Sequence, residues 1–149
     1  MKILHFIGIG KLPRDPEREP AGGLTRVALE IARLQVTRGH QVTIAAVARA
    51  GWGSEWHGVR LVSVPAMPRL NFCIGGRKLN LSALIPLVML TARYRFDVIH
   101  SHEYNYLRYL PAGIRLTHFH NDPYRYPSGD DTTIWEAKEC LAAARYSHA

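Results

Sequence analysis

Three short stretches of this sequence combine residue types and spacing that suit chemistry. One is the glycine pair Gly22-Gly23 within "EPAGGLTRVALEIARLQVTRGH"; another is the His-x-His pair of His100 and His102, followed by Glu103; the third is His118 and His120, followed by Asn121 and Asp122. Paired glycines ahead of an amphipathic run leave bare backbone where a helix begins. The free N–H groups and the positive end of the helix dipole then form an anion site. The other reading of the same pair is a flexible hinge. Thr25 either caps this turn or lines it. A His just past the carboxyl end of a strand can present a ring nitrogen or its own carbonyl to a ligand, and His120 is such a residue. Loop packing accounts for it equally well. Glu103 suits hydroxyl binding or plain solvation. The nearby Tyr104, Tyr106 and Tyr109 read as packing rather than as a stacking platform.

Two other chemistries are set aside. Gly8-Ile9-Gly10 suggests a dinucleotide fingerprint, but Pro13 stands at the third glycine position, and Ala45-Ala46-Val47 ends the second strand without an acidic residue for a ribose. No Gly-Lys-Ser or Gly-Lys-Thr follows the glycines, so a P-loop is not expected either. The two His-x-His pairs bring to mind a metal, yet the spacing offers no third ligand pattern, and no metal is expected.

The elements that must position these residues alternate regularly. Lys2 to Ile7 is a β-rich apolar strand, followed by a helix over about Leu24 to Arg38. In it Leu24, Val27, Ala28, Ile31 and Leu34 form the apolar stripe. Gly39 sits where a left-handed C-terminal residue belongs. Gln41 to Val47 and Val59 to Pro65 read as strands, separated by a glycine-bearing loop. Met67 to Arg77 reads as a loop and Ser82 to Tyr94 as a helix, with Pro86 within its first turns or kinking it. Phe96 to His102 and Gly113 to His120 are short strands, with brief helical character over Tyr104 to Pro111 and a last helix over Thr132 to His148. The order β-α-β-β-α-β-α-β-α predicts an α/β, Rossmann-like, mostly parallel sheet with helices on both faces. In such a sheet ligands lie beyond the carboxyl ends of the strands. Gly8 to Gly23, His100 to Glu103 and His118 to Asp122 are therefore the segments to watch.

Composition bounds the remaining choices. With 149 residues, 47% apolar and 21% charged, the sequence fits one compact domain. The 19 Lys+Arg against 12 Asp+Glu give a formal charge of +7, which favours anionic partners. The cations are scattered, with no nucleic-acid-binding pattern, so no nucleic-acid partner is expected. Cys73 and Cys140 have no CxxC spacing, which fits a reducing compartment. The apolar stretch Leu79 to Ala92 is too short and too interrupted to span a membrane.

Taken together, "MKILHFI", "GGLTRVALEIARLQVTRGHQVTIAA", "GVRLVSVP", "FDVIHSHEY" and "RLTHFHNDPY" resemble the amino-terminal half of retaining glycosyltransferases of family 4, which have the GT-B fold of two facing Rossmann-like domains. The resemblance implies transfer of a sugar from a nucleotide-diphosphate sugar to a glycan, lipid-linked or small-molecule acceptor, with no cofactor and no metal. It places Gly22, Gly23 and Thr25 at the donor diphosphate or acceptor, and His120 at the transferred sugar, its backbone carbonyl supporting developing positive charge. His102 and Glu103, with Asn121 and Asp122, fall on the acceptor side. The departing diphosphate is implied to take the acceptor's proton, so no protein base is demanded.

The resemblance further implies a cytoplasmic protein, with peripheral contact at the inner face of the membrane as a secondary expectation. Arg69, Arg77 and Lys78, with Leu70, Phe72 and Ile74, would make the contact; a basic loop over the acceptor cleft is the plainer account of them. The family's nucleotide-sugar pocket, with its paired Glu, lies in a second domain that these 149 residues do not contain. Residues 1–149 are thus expected to be a single acceptor-side domain, inert alone. The competing expectation is a stand-alone Rossmann-like binding domain or a subunit of a split transferase.

Overall fold

A computed structural model describes residues 1–10, 12–67, 71–74, 77–102, 110 and 114–118, with backbone alone at 71–74 and 77–80. Its elements in chain order are β1 (Lys2–Ile9), α1 (Gly23–Thr37), β2 (Gln41–Ala48), β3 (Trp52–Trp56), β4 (Val59–Pro65), β5 (Asn71–Ile74), β6 (Arg77–Asn80), α2 (Leu81–Tyr94), β7 (Val98–Ser101) and β8 (Ile114–Thr117). Six strands form one sheet in the order β3-β4-β2-β1-β7-β8. All neighbours in it are parallel except the edge pair β3–β4. This is the expected Rossmann-like α/β architecture.

The central strands are apolar on both faces because both faces are covered. Ile3 and Ile7 of β1, Val42, Ile44 and Ala46 of β2 and Val98 of β7 pack with Ala28, Leu29 and Ala32 of α1. On the opposite face Leu4, Phe6, Ala45, Val47 and Ile99 pack with Ala83, Leu84, Leu87 and Leu90 of α2. Strand alternation sends odd and even positions of β1 to different helices.

The chain leaves β1 through α1 to β2 and β4 on one side, then returns through α2 to β7 on the other side of β1. The strand order reverses between β1 and β7, and in a sheet of this kind that reversal opens the crevice where ligands bind. Asp97 pins the far end of the same seam: its N–H donates to the Lys2 carbonyl at 2.9 Å, and its Oδ2 accepts from the Lys2 N–H at 2.7 Å.

α1 ends as expected. Gly39 is left-handed at φ +82°, the Gly39 N–H donates to the Val36 carbonyl, and the His40 N–H donates to that of Gln35. This paired arrangement satisfies carbonyls that a helix end otherwise leaves bare. In α2 the proline is accommodated without a break. Pro86 has no N–H for the Ser82 carbonyl four residues earlier, and the Met67 N–H donates to that carbonyl instead, at 3.0 Å.

Several expectations need correction. The buried face of α1 is Thr25, Ala28, Leu29 and Ala32, whereas Val27 and Leu34 of the expected stripe are 39% and 53% exposed. Small residues let this helix lie close on the sheet and turn the larger ones outward. The loop expected before the third strand contains β3. The loop expected over Met67 to Arg77 contains β5, which pairs antiparallel with β6. The strand expected to run to His102 ends at Ser101, and that expected to run to His120 ends at Thr117. The helix expected over Thr132 to His148 lies outside the described residues, as does that over Tyr104 to Pro111 except for the buried Leu110.

Candidate active site

The glycine pair opens α1, on the connection that leaves the carboxyl end of β1. Gly22 is the residue that caps the helix, at φ −64° and ψ 162°, with no side chain bonded to the first turn and no acidic residue in it. The Arg26 N–H already donates to the Gly22 carbonyl, so the helix is formed from its first residue. Thr25 is not the cap; it is buried, at 8% exposure. The orphan amides and positive dipole of this terminus therefore have no side-chain answer from the cap.

Neither Gly22 nor Gly23 is glycine for the sake of the fold. Neither adopts a left-handed φ, and a Cβ on either would meet nothing within 4 Å. Gly10, after β1, is equally open. Other glycines differ. A Cβ at Gly51 would lie 2.9 Å from the Pro65 ring, and Gly58 combines φ +76° with a Val36 methyl at 2.9 Å. Gly8 too has a backbone reason, φ +87° at the irregularity where the β1–β2 register shifts between Phe6 and Ile9. It shapes the strand end and is not part of a dinucleotide fingerprint.

Beneath the crevice, on β1 and the β7 segment, the histidines gather into one cluster, and its centre is a residue with no signal in the sequence. His5 lies on the α1 face of β1, opposite His100 in the parallel β1–β7 register, and is fully buried. Its Nε2 is 2.8 Å from Gln35 Oε1 on the last turn of α1, and its Nδ1 is 3.0 Å from His102 Nε2. An amide oxygen only accepts, so His5 Nε2–H donates to Gln35, and Nδ1 is left to accept from His102 Nε2–H.

His100 stacks on His102 at 4.5 Å between ring centroids and lies 4.8 Å from His5. His118, whose N–H donates to the Ser101 carbonyl, places its ring 5.7 Å from His100 and 5.4 Å from His102. Burial pushes the pKa of His5 below the usual 6.5; the Gln35 hydrogen bond opposes this, and His118 adds to it. His5 is therefore neutral near pH 7.

The structure brings His102 to the crevice but turns its ring inward, at 4% exposure. Its N–H donates to the Phe6 carbonyl, which locks the end of β7 to β1. His5 escaped notice because an isolated polar residue inside an apolar strand has no spacing signature. Its place opposite His100 appears only once the strands pair. His120, Glu103, Asn121 and Asp122 lie outside the described residues.

Among the described residues no helix is long and apolar enough to cross a membrane. Comparison with known families matches the glycosyltransferase family 4 model to residues 21–147, a span that starts just before the glycine pair and takes in both His-x-His segments. No curated protein matches the chain. With the match extending over most of its length and an α/β, Rossmann-like sheet beneath it, the chain belongs to glycosyltransferase family 4.

Proposed function

We propose that this chain is the acceptor-side domain of a retaining GT-B glycosyltransferase, moving a sugar from a nucleotide-diphosphate sugar to a glycan, lipid-linked or small-molecule acceptor. The observation that carries this reading is the pair Gly22 and Gly23: two glycines with no internal reason to be glycine, at an uncapped helix terminus beside the β1–β7 crevice. Open space above bare amides suits a diphosphate or a sugar hydroxyl approaching the backbone.

A second, nucleotide-sugar-binding domain completes the site on this reading. His120, with its backbone carbonyl toward the transferred sugar, stabilises positive charge as the glycosidic bond to the diphosphate breaks. The leaving diphosphate takes the acceptor's proton, so neither a protein base nor a metal serves the transfer step. Glu103, Asn121 and Asp122 line the acceptor side, and His102, held by His5, positions that rim. On this reading the protein works in the cytoplasm.

The test is acceptor-dependent release of nucleoside diphosphate by the protein, together with its nucleotide-sugar-binding domain, across a panel of nucleotide-diphosphate sugars. Product anomers are assigned by NMR. Transfer with retained configuration, reduced at least tenfold by Gly23→Val, is expected. Inverted product, or no transfer from any donor, overturns the reading.

A further inference from the structure

Three imidazoles, from β1, β7 and the residue just past β7, converge beneath the crevice, and the transfer chemistry uses none of their ring nitrogens as acid or base. His5, His100 and His102 each offer one ligand nitrogen, and all three nitrogens lie within 4.8 Å of one another. The closest approach, His5 Nδ1 to His102 Nε2, is 3.0 Å. Two imidazoles on a tetrahedral ion, with nitrogens about 2.0–2.1 Å from it, stand about 3.3–3.4 Å apart, so this pair already has almost that separation. Closing the third nitrogen onto the same ion takes a side-chain movement of about 1 Å. His100 is half-buried and the most exposed of the three.

The framework around these side chains is fixed. His5 and His100 are register partners, and the His102 N–H is bonded to the Phe6 carbonyl. The decisive feature is Gln35. By accepting from His5 Nε2–H it fixes the ring and directs the Nδ1 lone pair toward His102. Ligating histidines characteristically have their other N–H tied to an oxygen in this way. Gln35 is itself held in the hydrogen-bonded end of α1 described above. His118 stands against His100 and His102 as a further imidazole beside the three.

We propose that His5, His100 and His102 bind one divalent first-row transition-metal ion, of which Zn²⁺ is the foremost candidate, and that the ion clamps β1 to β7 below the crevice without entering sugar transfer. Imidazole is a borderline ligand suited to Zn²⁺, Co²⁺, Ni²⁺ and Cu²⁺, and unsuited to Mg²⁺ or Ca²⁺. On binding, His102 ligates as the other neutral tautomer, its proton moving from Nε2 to Nδ1, so the ion takes the place of the hydrogen bond between His5 and His102 with no net proton released. The clamp is separate from the catalytic reading, since failure of either leaves the other standing.

The test uses protein stripped by a chelator and titrated with Co²⁺, whose visible absorption reports imidazole ligation, with thermal unfolding measured in parallel. One Co²⁺ per chain is expected, displaced by Zn²⁺, with Tm raised by about 5 °C or more at a hundredfold excess of ion over its Kd. His100→Asn should weaken binding at least tenfold while retaining the wild-type circular dichroism. Gln35→Leu, which leaves all ligands in place, should weaken it about 10- to 100-fold. His57→Asn, which removes the exposed His57–Glu17 pair, should leave it unchanged. Absence of a Co²⁺ spectrum in the wild type, or wild-type affinity in both His100→Asn and Gln35→Leu, overturns the proposal and makes the cluster a hydrogen-bonded core network. Loss of binding in His57→Asn overturns it as well.

Discussion

Gly23 is the first residue of α1, and a methyl group there meets only open space. Gly23→Ala should therefore preserve or raise stability, by up to about 0.5–1 kcal/mol, because alanine loses less conformational freedom in a helix. A fall in Tm would show that the turn is constrained in a way the geometry lacks. At His5 the consequence is a pH dependence. Its folded-state pKa is lowered, so below pH 6.5 the unfolded chain takes a proton that the folded chain refuses. The unfolded state then binds more protons, and stability falls as pH drops from 6.5 toward the lowered folded value, by at most about 1.4 kcal/mol per pH unit. Above 6.5 His5 contributes no slope. The groups facing it are His100 and His102 from the β7 segment, His118 beyond β8 and the neutral Gln35 on α1. Urea unfolding between pH 5 and 8 in the presence of chelator should show this slope, and His5→Asn should reduce it; equal slopes in the two proteins would contradict the assignment.

At the scale of the element, Leu87 is fully buried in the layer between α2 and the sheet, and Leu87→Ala should cost about 2–5 kcal/mol, read from the denaturant midpoint. Arg95, just past α2, has φ +47°, a left-handed conformation that suits glycine better than arginine. Arg95→Gly should raise stability by about 0.5–1 kcal/mol, or roughly 2–4 °C in Tm; a lower Tm would mean that the arginine side chain contributes more than its backbone costs. The longer elements were legible in the sequence because each carries an unbroken pattern: β1, β2 and β4 are apolar runs, and α1 ends at Gly39. The short hairpins were not. His57-Gly58, both left-handed, join β3 to β4. This is a two-residue turn of the kind that hairpins favour, and the strands of both hairpins are too short to announce themselves. The α1 stripe was misjudged because period alone does not say which edge of an apolar arc is buried, and here the small residues decided it.

At the scale of the whole molecule, the order of strands and helices was enough to give the Rossmann-like sheet, and the sheet's reversal at β1–β7 located the crevice. What the sequence did not reveal was convergence. His5 and His102 are far apart in the chain and become neighbours only through parallel pairing, so no spacing pattern could join them. For Gly22 and Gly23 the reverse holds: sequence raised the alternatives of hinge and anion cradle, and the geometry removed the internal reasons for glycine. The account's central claim is that this turn serves a ligand in sugar transfer. Its most direct test is the acceptor-dependent transfer rate of the protein, with its nucleotide-sugar-binding domain, as wild type and as Gly23→Val, with Tm recorded for both. The account predicts a rate reduced at least tenfold in Gly23→Val with Tm within about 3 °C of wild type; an unchanged rate in the equally stable variant would contradict it.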